Sequence, residues 1–166
     1  MTVKDIVVCD YEGEPVEGEL SPSSEMHLHV AIYQARPDVH AVIHTHSIYA
    51  SVCAVTGLDI PPIVDEMTVY LGGPVKVAQY GFPGTRDLAD KAVRALEDRK
   101  AVILRNHGMA ACGATLEEAL AHCRLVERVA QIFVTARAMG AVNPLPPDVV
   151  EKERAMYLMR LRAQKG

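Results

Sequence analysis

The chain has 166 residues, of which 49% are hydrophobic, and a formal net charge of -4. That length suits one domain with its own hydrophobic core, and the charge excludes the strongly basic surface that nucleic acid requires. No apolar run reaches the ~20 residues of a membrane span and the first residues carry no signal-peptide core, so no membrane partner is expected and the cytoplasm is the expected location.

Lys4 to Asp10 and Val16 to Leu20 flank the turn residues Glu12-Gly13-Glu14-Pro15, a pattern that predicts a β-hairpin. Ser21-Pro22-Ser23-Ser24 then offers a serine cap, and Glu25 in the first turn suits the positive end of a helix dipole. Leu28, Ile32 and Ala35 recur at helical spacing until Arg36-Pro37 ends the helix. Val39 to His46 reads as a strand, and Ile48 to Val55 as a short helix closed by Gly57.

Between Pro61-Pro62 and Gly72-Gly73, the run Ile63 to Leu71 fits strand and helix equally, with Asp65 and Glu66 inside it. Pro74 to Gln79 predicts a strand and Thr85 to about Arg99 a helix carrying Leu88, Ala92, Ala95 and Leu96 on one face. Ala101 to Arg105 and Met109 to Cys112 predict two neighbouring buried strands joined by a tight turn at Asn106-His107-Gly108, where Gly108 is expected at positive φ.

Thr115 and Glu118 form a capping box that opens a long helix through Leu116, Leu120, Cys123, Val126, Ala130 and Phe133 to Gly140. Asn143-Pro144-Leu145-Pro146-Pro147 breaks it, and a last charged helix runs from about Asp148 to Gln164. Cys9, Cys53, Cys112 and Cys123 form no C-x-x-C pair and read as reduced, buried thiols.

The chemistry gathers at His44-Thr45-His46. Residues two apart on a strand leave the same face about 6.6 Å apart, so two imidazoles project together toward one divalent cation. A third ligand is needed, and His107 after the second apolar strand is the candidate. Three neutral imidazoles leave the cation its charge and an open position for Lewis-acid work, and Glu25 is the acidic residue placed to act beside it as general base or mobile ligand. His27, His29, His40 and His122 read as surface or satisfied core residues.

Pro22-Ser23-Ser24-Glu25, His29 with Ile32-Tyr33, Ala41-Val42-Ile43-His44-Thr45-His46-Ser47, Gly84-Thr85-Arg86-Asp87-Leu88 and Asn106-His107-Gly108 together resemble the class II aldolase and adducin-head family, in order from roughly Asp5 to Gly140. The resemblance implies an α/β fold of three α/β/α layers around a central, largely antiparallel sheet. It implies a single domain over 1–166, N-terminally shortened relative to the family, and a homotetramer with active sites at subunit interfaces. His44, His46 and His107 would hold a catalytic Zn2+, although imidazoles accept other divalent metals, and Glu25 would be the catalytic acid/base. The implied reaction cleaves a ketose 1-phosphate such as L-fuculose 1-phosphate into dihydroxyacetone phosphate and an aldehyde through a metal-stabilised enediolate.

The chain departs from the family pattern in three places. The N-terminal segment that carries two phosphate-binding loops falls before Met1, which leaves Ser23 and Ser24 as the substrate-binding residues. A catalytic tyrosine of the family aligns near Asp65 or Glu66, which puts Glu66 forward as a second acid/base. Tyr157 is the match for a tyrosine that the family's C-terminal tail lends to a neighbouring subunit. Two other readings stay open: an epimerase, dehydratase or decarboxylase on the same site, and a non-catalytic adducin-head-like assembly module, which predicts eroded ligands where this chain has a full set.

Overall fold

A computed structural model describes residues 2–163, so Gln164, the expected end of the last helix, lies outside the described residues. Strands β1 (Val8–Cys9) and β2 (Pro15–Glu17) pair antiparallel, and α1 (Met26–Ala35) follows. Next come β3 (Ala41–Thr45), α2 (Ile48–Thr56), a π-helical turn at Met67–Leu71, β4 (Lys76–Ala78) and α3 (Arg86–Leu96). The chain continues through β5 (Ala101–Leu104), β6 (Gly108–Gly113), α4 (Leu116–Ala138) and α5 (Pro147–Ala163).

The main sheet has the order β3-β6-β5-β4. β6 runs antiparallel to both β3 and β5, while β4 lies parallel to β5, so the sheet is mixed where a largely antiparallel one was expected. Strand periodicity divides it into two buried faces. Val42, Val102, Leu104 and Ala110 pack with Leu28, Ile32, Leu88 and Leu96 of α1 and α3. Ile43, Ala101, Ile103 and Ala111 pack with Ala50 and Cys53 of α2 and with Val126, Ala130 and Phe133 of α4. Two helical layers thus cover the two faces, giving the α/β/α architecture.

The predicted hairpin exists but pairs over only a few residues. Val3, Ile6, Val8, Val16 and Leu20 are exposed, and two strands with nothing to cover an apolar face do not sustain a longer ladder. The ambiguous run before Gly72 is helical, with Met67, Thr68 and Leu71 buried. On α4 the inward face is Ala119, His122, Cys123, Val126, Val129, Ala130 and Phe133, while Leu116 and Leu120 point outward. The helix starts against Gly113, where a Cβ would stand 2.8 Å from the Ala119 nitrogen, so the small residue and not leucine faces the sheet there. Cys53, Cys112 and Cys123 are free and buried, and Cys9 is free and half-buried. No helix of the described residues is long and apolar enough to cross a membrane.

Candidate metal centre

His44 sits in β3 with the same parity as Val42, and so leaves the sheet on the side of α1. Its Nδ1 lies 2.9 Å from the Met109 carbonyl, which fixes that nitrogen as the N–H donor and leaves the Nε2 lone pair outward. His46 follows just past the end of β3 and is exposed, with its Nε2 3.0 Å from that of His44. His107 comes from the β5–β6 turn. All three ring centroids are 4.8 Å apart, and one nitrogen from each ring falls within 4.8 Å of the others. Three nitrogens at ~2.0–2.1 Å from one tetrahedral zinc would stand about 3.3 Å apart, so the cluster needs only small ring rotations to close on a cation.

The turn that delivers His107 differs from the expectation. Asn106, not Gly108, takes the positive φ, at 56°. Gly108 is required for close approach instead: a Cβ there would lie 2.5 Å from the Thr45 oxygen and 2.7 Å from Cδ2 of His46. The absence of a side chain at Gly108 is what lets β6 pass against the strand end that carries the other two imidazoles.

Glu25 occupies the N-cap position of α1, but its carboxylate does not cap the helix. The cap serine acts one step earlier, with Ser23 Oγ accepting from the Glu25 amide at 3.2 Å. Glu25 is buried and turned toward the imidazoles, with Oε1 3.9 Å from His107 Nε2. Glu25 Oε2 and His107 Nδ1 are buried without a hydrogen-bond partner. Unpartnered buried polar atoms are costly, and a carboxylate oxygen beside three imidazole nitrogens is a donor set that suits a divalent cation.

Burial lowers the His44 imidazole, an effect reinforced by His107 and His46 and opposed by the bond to Met109. Burial also lowers His107, partly offset by the Glu25 charge. Both rings are therefore biased to the neutral form that coordinates metal.

The remaining candidates lie elsewhere. The half-exposed Glu66 carboxylate pairs with Arg128 of α4 at 3.1 Å, so the structure does not bring it to the imidazoles. Tyr157 is buried, with its hydroxyl donating to the Asp98 carbonyl and its ring under the Arg154 guanidinium, 5.0 Å from Cζ. Within the chain, Tyr157 pins α5 to the segment before β5. Ser23 and Ser24 are exposed just ahead of α1. Beside them an open cavity of about 600 Å³ is lined by Ser21, Ser23, His29 and Tyr33 among others, and by none of the three imidazoles. Sequence reading missed Glu127, whose carboxylate from α4 takes the Tyr49 and Ala50 amides at 2.9 Å each, in the first turn of the helix that follows His46. No local signal marks a bond that spans 77 residues.

The class II aldolase and adducin N-terminal domain family matches residues 1–134. The L-fuculose phosphate aldolase of Escherichia coli strain K12 is 38% identical over 162 residues, covering 98% of this chain and 74% of that protein. The 5-deoxy-D-ribulose 1-phosphate aldolase of Bacillus thuringiensis serovar kurstaki is 37% identical over 148 residues, covering 89% of this chain and 69% of that protein. A solved structure of an L-fuculose 1-phosphate aldolase superposes with a TM-score of 0.90 at 38% identity, covering 95% of this chain and 74% of that one.

Proposed function

The chain belongs to the class II aldolase and adducin N-terminal domain family and is an aldolase, a carbon–carbon lyase; from that premise we propose that it is zinc-dependent and cleaves a ketose 1-phosphate into dihydroxyacetone phosphate and an aldehyde. L-fuculose 1-phosphate and 5-deoxyribulose 1-phosphate, the substrates that the names of its relatives give, are the first candidates. The observation that carries the reading is the convergence of His44, His46 and His107 beside the unpartnered Glu25 carboxylate.

In this reading the three imidazoles hold the cation, and the family's dependence on a metal accords with the orphaned nitrogen and oxygen at the site. When bound, the cation supplies Lewis-acid stabilisation of the negative charge that bond cleavage leaves on the ketose oxygens. Glu25 delivers a proton to the carbon from which the aldehyde departs, balanced by the proton that the cleaved alcohol gives up as it becomes the aldehyde, and takes it back in the reverse direction. Its burial shields that exchange from bulk water. Ser23 and Ser24 receive the phosphate, where exposed hydroxyls and the positive end of the α1 dipole favour an anion.

The same reading makes the protein a cytoplasmic homotetramer with its sites at subunit interfaces. Two features support assembly there. His46 is exposed, and Ile48, Val52 and Val55 form an exposed apolar stripe along α2 that starts two residues beyond it.

The test is release of dihydroxyacetone phosphate from a panel of ketose 1-phosphates and their unphosphorylated ketoses, before and after chelation and zinc return. Zinc-restored release from phosphorylated substrates alone is expected. Release that survives chelation, or products that keep every carbon in one chain, would overturn the proposal.

A further inference from the structure

The three imidazoles are not held equally well. His44 lies in a strand paired on β6 and its ring is fixed by the Met109 carbonyl. His107 sits in a tight turn whose own amide bonds the Leu104 carbonyl. His46 is exposed and lies between β3 and α2, outside both. What aims it is the first turn of α2, which starts two residues later.

That first turn is not capped by its own residue. Ser47 has the extended backbone of an N-cap, φ -63° and ψ 144°, but its hydroxyl makes no cap bond and has no partner. Glu127 does the work across the helix interface, with Oε1 accepting from the Tyr49 amide and Oε2 from the Ala50 amide. A carboxylate that takes two backbone donors at a helix N-terminus is a charge-assisted clamp aligned with the dipole. The other end of α2 reaches the turn that carries the third imidazole, because the Asn106 amide donates to the Ala54 carbonyl at 3.1 Å. Helix α2 is therefore a strut between the segments that carry His46 and His107, and Glu127 sets where the strut begins.

We propose that Glu127 is a positioning residue of the metal centre: its two hydrogen bonds to the α2 amides fix the backbone that aims His46, and so set the affinity and geometry with which the three imidazoles hold a divalent cation. This rests on the metal-ligand reading of His44, His46 and His107, and the experiment separates the two.

Zinc affinity, by competition with a chromophoric chelator, and the visible spectrum of the cobalt-loaded protein are measured for the unaltered chain and for Glu127→Ala, Glu127→Gln, Thr115→Ala and His44→Ala. Glu127→Ala is expected to weaken zinc by about 10- to 100-fold, the range for loss of a group that orients a ligand, and to shift the cobalt bands. Glu127→Gln is isosteric, but its amide nitrogen would meet one of the two backbone donors, so it is expected to weaken zinc by about 10-fold at the lower end of that range. It carries the test if the alanine variant does not fold. Thr115→Ala removes the side-chain cap of α4, whose Oγ accepts from the Glu118 amide, and is expected to lower stability while leaving affinity and spectrum unchanged.

Unaltered affinity and cobalt bands in Glu127→Gln or in a folded Glu127→Ala would overturn the proposal, as would a Thr115→Ala variant that moves them equally. His44→Ala tests the underlying reading by itself. If that variant binds zinc as tightly as the unaltered chain, the ligand assignment fails whatever Glu127 does.

Discussion

The two ends of the β3-β6-β5 ladder bury polar groups on opposite principles. At the end where β3 and β5 begin, the Arg36 guanidinium forms a paired contact with Asp38 at 2.9 and 2.7 Å and also donates to the Glu97 and Arg99 carbonyls. Lys100 adds a second cation to Asp38 at 3.3 Å. At the far end, where β3 and β5 finish, buried polar atoms of Glu25, Thr45, Ser47 and His107 have no partner. One end pairs its buried charges within the chain, although Arg99 Nε there has no partner, and ties α1 and β3 to the start of β5. The other leaves its bonding capacity for something that the chain does not supply, which is the signature of a site.

Substitutions at the two ends should therefore separate activity from stability. The largest effect belongs to the open end. Glu25→Gln removes the proton-transfer group without touching the imidazoles, so turnover should fall by about 10²- to 10⁴-fold while bound metal per chain stays constant. Steady-state kinetics with metal analysis of the same sample check it, and full activity would remove Glu25 from the chemistry.

At the closed end, Asp38→Ala strands two buried cations and should cost about 3–5 kcal/mol in denaturant unfolding, with zinc affinity of the folded fraction unchanged. The pH dependence sharpens this. Burial alone would raise the Asp38 carboxyl, but the bonds and charge of Arg36, with Lys100, outweigh it and hold the group well below the usual carboxylate range. Its folded value is depressed, so its stabilisation is fully present above the unfolded value of about 3.9 and is lost as pH falls toward the folded value. The stability gap between the unaltered chain and Asp38→Asn should be constant from neutral pH down to about pH 5 and shrink below about pH 4. A gap that widens in acid would contradict the pairing.

The smallest effect is expected from Tyr157→Phe, which deletes the bond to the Asp98 carbonyl. Stability should fall by about 1 kcal/mol and turnover should stay within a few-fold. A loss of turnover as large as that of Glu25→Gln would instead place Tyr157 in the chemistry.

Much of this contrast was legible in the sequence at the open end and almost none at the closed end. His44-x-His46 on an apolar strand and His107 after another are local patterns, and these are the three rings that come together. The long α4 announced itself through Thr115 and Glu118: Thr115 Oγ accepts from the Glu118 amide, and Glu118 reaches back to the Ala114 amide. Arg36, Asp38, Arg99 and Lys100 gave no such sign: Arg36 and Asp38 are near neighbours, but the bonds that tie them to the start of β5 span about sixty positions, and each residue looks alone like a surface charge. Glu127 was hidden for the same reason, as one more acid on a charged helix. The run from Ile63 to Leu71 stayed ambiguous because a short apolar stretch buried on several sides has no informative period.

The central claim is that His44, His46 and His107 hold one divalent cation beside Glu25. Anomalous diffraction from crystals of the zinc-loaded protein tests it most directly. The account predicts a single zinc peak with three nitrogen ligands at ~2.0–2.1 Å, one from each of these residues. A peak bound by fewer than three of them, or located elsewhere on the chain, would contradict it.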